Sequence, residues 1–140
     1  MLEIDTKKFG RIEIDEQKIL TMPDGMLGFE ELKRYVLIKD KSLAPFMLYQ
    51  AMDNPDLAFF VIDPFLVLKD YFIDQPKVIK AASWNETDEI SYLAVVTIPE
   101  HHPEKMTVNL MGPLAINNTS KESYQLILEN SGYSYKHSLL

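Results

Sequence analysis

The stretch Ile90-Ser-Tyr-Leu-Ala-Val-Val-Thr-Ile98 has the most buried-looking strand pattern in the chain. Its middle is apolar at successive positions, so an extended segment here presents hydrophobic side chains on both faces. A strand of this kind is covered on both sides, which indicates that it lies inside a larger β structure. It is much shorter than the roughly 18 apolar residues that a membrane-spanning helix needs.

Short segments rich in β-branched and aromatic residues lie on both sides of this stretch. Leu2–Thr6 and Arg11–Ile14 alternate apolar with charged residues, as half-buried strands do, and Phe9-Gly10 between them predicts a hairpin. Lys18–Met22 continues the pattern and ends at Pro23-Asp24-Gly25, a turn signal with proline at the first corner. Further strands are predicted over Tyr35–Lys39, Phe46–Met52, Leu57–Ile62, Thr107–Met111, Leu114–Asn117 and Tyr124–Glu129, with Tyr133–His137 as a candidate edge strand.

Helical patterns are brief. Phe29–Tyr35 has acids early and bases late, which predicts one short helix, and Lys77–Ser83 predicts a second. Nine or ten short strands at spacings of about 8–12 residues therefore favour an all-β fold with two short helices, an antiparallel sandwich or barrel. The length of 140 residues fits a single domain, expected to span residues 1–140.

The composition narrows the class of function. Acidic residues outnumber basic ones by 21 to 14, a net charge of −7, and the lysines and arginines form no cluster that would follow a phosphate backbone. The chain has no cysteine, which excludes disulfides, cysteine-ligated metals and a cysteine nucleophile. Its first residues do not have the form of a signal peptide. We therefore expect a cytoplasmic protein that binds neither nucleic acid nor membrane.

His101-His102-Pro103-Glu104 is the clearest candidate for a metal site. Adjacent side chains in an extended segment point to opposite faces, however, and the spacing matches no zinc motif. No nucleotide-binding, nucleophile-elbow or calcium-loop motif occurs either. We therefore predict a protein without cofactor or catalysis. The alternative is a small metal- or ligand-binding β-barrel, enzymatic in some form, that uses His101, His102 and Glu104.

A group of acids surrounds an unusually apolar segment. Asp63, Asp70 and Asp74 bracket Pro64-Phe-Leu-Val-Leu68, which runs on into Tyr71-Phe72. Hydrophobic residues framed by acids fit a docking surface for a protein with basic groups. They fit equally well an ordinary loop folded over the core, and the pattern by itself leaves both interpretations open.

Four blocks of sequence, taken together, resemble the FliW family of bacterial flagellar assembly factors. They are Ile19-Leu-Thr-Met-Pro-Asp-Gly-Met-Leu-Gly-Phe-Glu-Glu31, Asp56-Leu-Ala-Phe-Phe-Val-Ile-Asp-Pro64 followed by Asp70-Tyr71, Leu93-Ala-Val-Val-Thr-Ile-Pro99, and Thr107-Val-Asn-Leu-Met-Gly-Pro-Leu-Ala-Ile-Asn117. Their order and spacing are family-like, and the resemblance covers essentially the whole chain as one FliW-like domain.

This resemblance implies a compact antiparallel β-barrel and two protein partners. FliW proteins bind CsrA, a repressor of flagellin mRNA translation, and also flagellin. Free flagellin occupies the factor; once flagellin is secreted, the factor captures CsrA and translation resumes. On this basis we place the contacts with CsrA, as a hypothesis, in loops that combine acids and aromatics: Asp53, Asp56, Asp70, Tyr71 and Asp74, with Phe65 and Leu66 as apolar anchors. Asn109 is expected to be structural, its amide capping the turn at Gly112-Pro113.

Overall fold

The computed structural model describes residues 1–139. Its strands are β1 (Leu2–Thr6), β2 (Gly10–Ile14), β3 (Leu20–Thr21), β4 (Arg34–Ile38), β5 (Met47–Ala51), β6 (Ala58–Ile62), β7 (Ile90–Thr97), β8 (Thr107–Val108), β9 (Leu114–Asn117), β10 (Glu122–Gln125) and β11 (His137–Ser138). The helices are α1 (Pro64–Val67) and α2 (Gln75–Ala82), with 3-10 turns over Glu16–Lys18 and Pro103–Lys105. None of these helices is long and apolar enough to cross a bilayer.

Within the described residues, seven strands close into a barrel. They follow the order β7-β6-β5-β4-β3-β10-β9, and β9 returns to β7. Neighbouring strands are antiparallel except β3 and β10, which run parallel and pair at Thr21 and Glu122. The strands β1 and β2 form the predicted hairpin outside the barrel. The expected antiparallel barrel is therefore confirmed, apart from this one parallel pair.

The central strand β7 explains the apolar stretch at which the sequence is most strand-like. One of its edges pairs with β6, while the other is shared between β9 and β8. Leu93 points into the barrel interior, whereas Ala94 and Val96 lie in a second core outside the wall. Because both faces are buried, both faces are hydrophobic.

Three apolar clusters hold the fold together. The first fills the barrel and contains Tyr35, Tyr49, Val61 and Leu114 among others. The second lies between the outer face of β6, β7 and β9 and the covering segment with α2, and the third lies under the β1–β2 hairpin.

The predicted helix over Phe29–Tyr35 is wrong. The segment instead forms two turns, closed by backbone hydrogen bonds from Phe29 to Met26 and from Leu32 to Phe29. Lys33 accepts a hydrogen bond from the Met22 amide, which draws the chain into the β ladder before a helix can form. Met26 is buried in the interior cluster, so tertiary packing at the barrel mouth overrides the local pattern.

Three other predictions on turns and helices can be compared with the structure. The turn at Pro23-Asp24-Gly25 is confirmed by a hydrogen bond of 2.9 Å from the Gly25 amide to the Met22 carbonyl. The segment Pro64–Val67, expected as a loop, is a short helix. The helix predicted over Lys77–Ser83 is confirmed as α2, and Ser83 ends it in the left-handed conformation.

Candidate protein-binding surface

The first element of the candidate site is the short helix α1. Asp63 caps it by accepting a hydrogen bond of 2.9 Å from the Phe65 amide, and Pro64 at the first helical position has no N–H to satisfy. The helix buries Pro64 and turns the next two side chains outward: Phe65 is 44% exposed and Leu66 is 69% exposed. The capping geometry therefore presents two large apolar side chains to solvent.

Tyr71 lies beneath this helix, inside the fold. It is only 5% exposed, and its hydroxyl donates a hydrogen bond of 2.6 Å to the Leu110 carbonyl. Its ring contacts those of Phe65 and Tyr133, with centroids 5.5 and 4.6 Å away. Burial is the main cause that raises the pKa of the Tyr71 phenol, and the electrostatic effect of Tyr133 raises it further. Tyr71 therefore lies beneath the surface, whereas the sequence analysis expected it to be a direct contact.

Phe72 is a second exposed aromatic ring near α1, and the sequence analysis did not include it among the predicted contacts with CsrA. Tyr71 and Ile73 are buried, so the intervening side chain in this extended segment points outward, and Phe72 is 68% exposed. The hydroxyl of Tyr133 accepts a hydrogen bond of 2.9 Å from the Phe72 amide and fixes its backbone. Tyr71-Phe72-Ile73 is a run of three apolar residues, so no signal in the sequence distinguishes the exposed ring from its buried neighbours.

Carboxylates border the exposed apolar side chains. Asp70 is exposed, and Asp74 caps α2 by accepting a hydrogen bond of 3.3 Å from the Lys77 amide. An open groove of about 410 Å³ runs beside them and is lined by Asp63, Phe65 and Phe72 among others. We call the set Phe65, Leu66, Asp70, Phe72 and Asp74 the α1–α2 surface. It combines apolar area with negative charge, as the sequence suggested.

The two other predicted acids lie elsewhere. Asp53 and Asp56 occupy the turn before β6, whereas the α1–α2 surface follows its end. At a rise of about 3.3 Å per residue, the strand separates them by roughly 17 Å. Asp53 also forms a bidentate ion pair with Arg34, with N···O distances of 2.7 and 3.2 Å. The structure therefore does not gather the predicted residues into one cluster.

The histidine pair does not converge on a common point. His102 faces Glu104 at 3.1 Å, whereas His101 faces Glu100 at 3.7 Å, and all four side chains are exposed. Over residues 1–139, no three metal-ligating side chains are grouped in a way that could hold an ion. The geometry therefore does not support the metal-binding alternative.

Asn109 has the structural role expected from the sequence. Its side-chain oxygen accepts hydrogen bonds from the amides of Met111 and Gly112, at 3.1 and 2.8 Å. These bonds fold the turn before Pro113, and they hold the backbone around Leu110, to which Tyr71 is bonded. The motif around Asn109 thus supports the α1–α2 surface from below.

A small closed barrel that displays apolar side chains among carboxylates is typical of a protein-binding domain. Comparison with known proteins identifies the family. The model of the family described as "FliW protein" matches residues 3–139, and the chain belongs to that family.

Relatives and a solved structure agree. The flagellar assembly factor FliW of Geobacter sulfurreducens is 41% identical over 137 residues, covering 97% of this chain and 85% of the relative. That of Treponema denticola is 38% identical over 140 residues, covering 99% and 94%. A crystal structure of the flagellar assembly factor FliW superposes with a TM-score of 0.89 at 30% identity, covering 99% of this chain and 97% of the other. The mainly β fold is thereby confirmed.

Proposed function

We propose that this protein is a flagellar assembly factor that acts by binding CsrA and flagellin in turn, without catalysis. Binding to CsrA relieves the repression of flagellin mRNA, and binding to flagellin withdraws the factor. We also propose that it works in the cytoplasm as one domain. The observation that carries the proposal is the α1–α2 surface, on which Phe65, Leu66 and Phe72 are exposed and the neighbouring Asp70 and Asp74 are exposed carboxylates.

The physical case begins with those apolar side chains. Covering an exposed leucine or phenylalanine on a partner yields up to about 1.5–3 kcal/mol each, before the costs of association. Neighbouring exposed apolar side chains rimmed by polar residues often mark a contact area for another protein. The α1–α2 surface is therefore the best candidate for the contact area.

The charges favour a partner with basic groups. Asp70 and Asp74 stand beside the exposed rings in a protein of net charge −7. Opposite charges speed the encounter of two proteins and make it sensitive to salt. Asp53 and Asp56 form a second proposed contact area at the other end of β6, which Asp56→Lys tests separately from changes in the α1–α2 surface.

Switching between two partners requires linked affinities. If CsrA and flagellin compete for overlapping surface, or if one alters the site of the other, each lowers the affinity for the other by the same factor. While flagellin is present, its complex must be the tighter or the more abundant one. Its removal then frees the factor for CsrA.

The decisive experiment is calorimetric titration of the protein with purified CsrA, with purified flagellin, and with CsrA after saturation by flagellin. We expect both proteins to bind and flagellin to weaken the apparent affinity for CsrA. A gel-shift assay should show release of flagellin mRNA from CsrA without binding of the RNA by this protein. Failure to bind either protein at low salt, or direct binding of the RNA, would contradict the proposal.

A further inference from the structure

The strand β10 has one edge that is mostly unpaired. Its full length pairs with β9, but it meets β3 only where Glu122 lies beside Thr21. After Thr21 the neighbouring chain leaves, because the Met22 amide bonds to Lys33 and Pro23 begins a turn. Beyond Glu122 the edge of β10 therefore has no strand partner among the described residues; the nearest segment is the turn at Leu27, whose amide donates a hydrogen bond of 3.1 Å to the Gln125 side chain.

The open edge continues past the end of the strand. The amides of Leu126 and Leu128 donate hydrogen bonds of 2.8 Å to Pro113 and Met111, so the segment stays extended along β9. In an extended chain the N–H and C=O of the intervening Ile127 point to the opposite edge. Within residues 1–139 no backbone hydrogen bond reaches Ile127, and its side chain is 64% exposed.

A trough lies beside this edge. It consists of two adjoining grooves of about 240 and 370 Å³ that share Asp24 and Leu126. Leu27, at the tip of the turn opposite Ile127, is 75% exposed, and Trp84 lines the other end. We call this feature the β10 trough. Two adjoining grooves that follow the strand edge and include apolar side chains fit an extended peptide better than a compact ligand.

The charge of the trough selects the kind of peptide. Asp24 and Glu30 line it, none of the described residues that line it is a lysine or arginine, and Lys33 is the cation near Glu30. A hydrogen bond from the Gly28 amide lowers the pKa of Glu30 and keeps that carboxylate ionised. A second copy of this acidic chain would meet like charge here, so a basic segment is the matching occupant.

We propose that the β10 trough binds an extended segment of another polypeptide, with alternating apolar and basic side chains, which adds as a strand to the edge at Ile127. An open edge offers backbone donors and acceptors in register, and side-chain pockets beside it supply selectivity. This surface lies apart from the α1–α2 surface, so the proposal goes beyond the function proposed above.

The test uses a defined probe, the peptide acetyl-KVKVKVK-amide, and the whole protein. Trp84, the single tryptophan of the chain, reports binding through its fluorescence. We expect saturable emission changes and, at saturation, at least about tenfold slower hydrogen exchange of the Ile127 amide measured by NMR. Unchanged exchange at Ile127 with the peptide bound would overturn the proposal.

Controls separate strand addition from mere charge attraction. The same peptide with every backbone amide N-methylated cannot donate the strand hydrogen bonds, whichever set of residues faces the edge, and should bind far more weakly. Ile127→Lys should abolish binding, whereas the matched change Leu66→Lys on the α1–α2 surface should leave it intact. Equal binding of the methylated peptide, a gain of helical signal in the bound peptide, or dimerisation of the protein in place of peptide binding would each contradict strand addition.

Discussion

The hydroxyl of Tyr71 donates a 2.6 Å hydrogen bond to the Leu110 carbonyl, joining the segment below α1 to the turn that Asn109 organises. Two stretches far apart in sequence are thereby held together beneath the exposed Phe65 and Phe72. The surface proposed to bind partners therefore rests on a buried polar contact, and Tyr71 contributes to the stability of the fold beneath it.

Tyr71→Phe tests this role. The change keeps the ring but leaves the buried Leu110 carbonyl without its donor, so the free energy of unfolding should fall by about 1–3 kcal/mol. Urea denaturation gives that value, and titration with CsrA under conditions where the variant is folded should show nearly unchanged affinity. A large loss of affinity at unchanged stability would instead make Tyr71 a direct contact.

Tyr35 and Tyr49 should respond to loss of their hydroxyls in opposite ways. Their rings stack in the barrel interior with centroids 4.5 Å apart, and the Tyr49 hydroxyl bonds to Ser123 at 2.8 Å. Within residues 1–139 the buried Tyr35 hydroxyl has no partner. We expect Tyr35→Phe to stabilise the protein by about 1 kcal/mol and Tyr49→Phe to destabilise it by a similar amount.

Chemical denaturation of the two variants beside the unchanged protein measures both effects. Since both changes remove one oxygen from the same stacked pair, each serves as the control for the other. Destabilisation by Tyr35→Phe equal to that of Tyr49→Phe would show that the Tyr35 hydroxyl is satisfied in solution.

Stability should fall in alkaline solution. Burial raises the pKa of Tyr35 to about 12 and raises that of Tyr49 further. An unfolded tyrosine titrates near pH 10, so between about pH 10 and 12 the folded state binds more protons than the unfolded state. The stabilisation is complete below pH 10 and is lost as the pH rises, by up to about 1.4 kcal/mol per pH unit for each tyrosine.

Urea denaturation at intervals from pH 8 to 11.5 measures this slope. Tyr35→Phe should make it shallower, because one of the titrating groups is gone. A constant free energy of unfolding across this range would contradict the burial of the phenols.

Gly25 and Gly28 have similar backbone conformations but different surroundings. Both have positive φ, +66° and +92°, yet a Cβ on Gly25 would lie 2.6 Å from the Glu30 Cα, whereas one on Gly28 would meet open space. Gly28→Ala should cost about 1–2 kcal/mol through backbone strain alone. Gly25→Ala should lower the free energy of unfolding clearly more, because the turn that caps the barrel must shift. Thermal and urea unfolding of both variants measure the two losses. Equal losses would show that the close contact with Glu30 is absent.

Local pattern predicts the central strands, the first hairpin and the turn at Pro23-Asp24-Gly25, but not the turns over Phe29–Tyr35. Ile90–Ile98 was recognisable because both of its faces are buried, and the hairpin around Phe9-Gly10 because its alternation is regular. The helix predicted over Phe29–Tyr35 is wrong because its charge pattern is helical, whereas Met26 packs in the barrel interior and Lys33 is hydrogen-bonded to Met22. A contact across the mouth of the barrel leaves no trace in local periodicity.

The candidate site was predictable only in part. Phe65, Leu66 and Asp70 were identified by acids flanking an apolar segment, and the structure places them on one surface. Asp56 was grouped with them by residue type, although an entire strand lies between. Because the sequence also predicts a strand over Leu57–Ile62, this separation could have been inferred from the sequence, and grouping the acids by residue type overlooks it.

The central claim is that the α1–α2 surface binds CsrA, and the affinity of one double variant tests it most directly. Asp70→Lys combined with Phe72→Ser removes a charge and an exposed ring without touching Tyr71. At low salt we predict a loss of roughly 100-fold in affinity for CsrA by calorimetry. The matched control, Glu16→Lys with Ile98→Ser, reverses one charge and removes one exposed apolar side chain at positions outside the α1–α2 surface and should leave the affinity nearly unchanged. Equal affinities of the two variants for CsrA would contradict the claim.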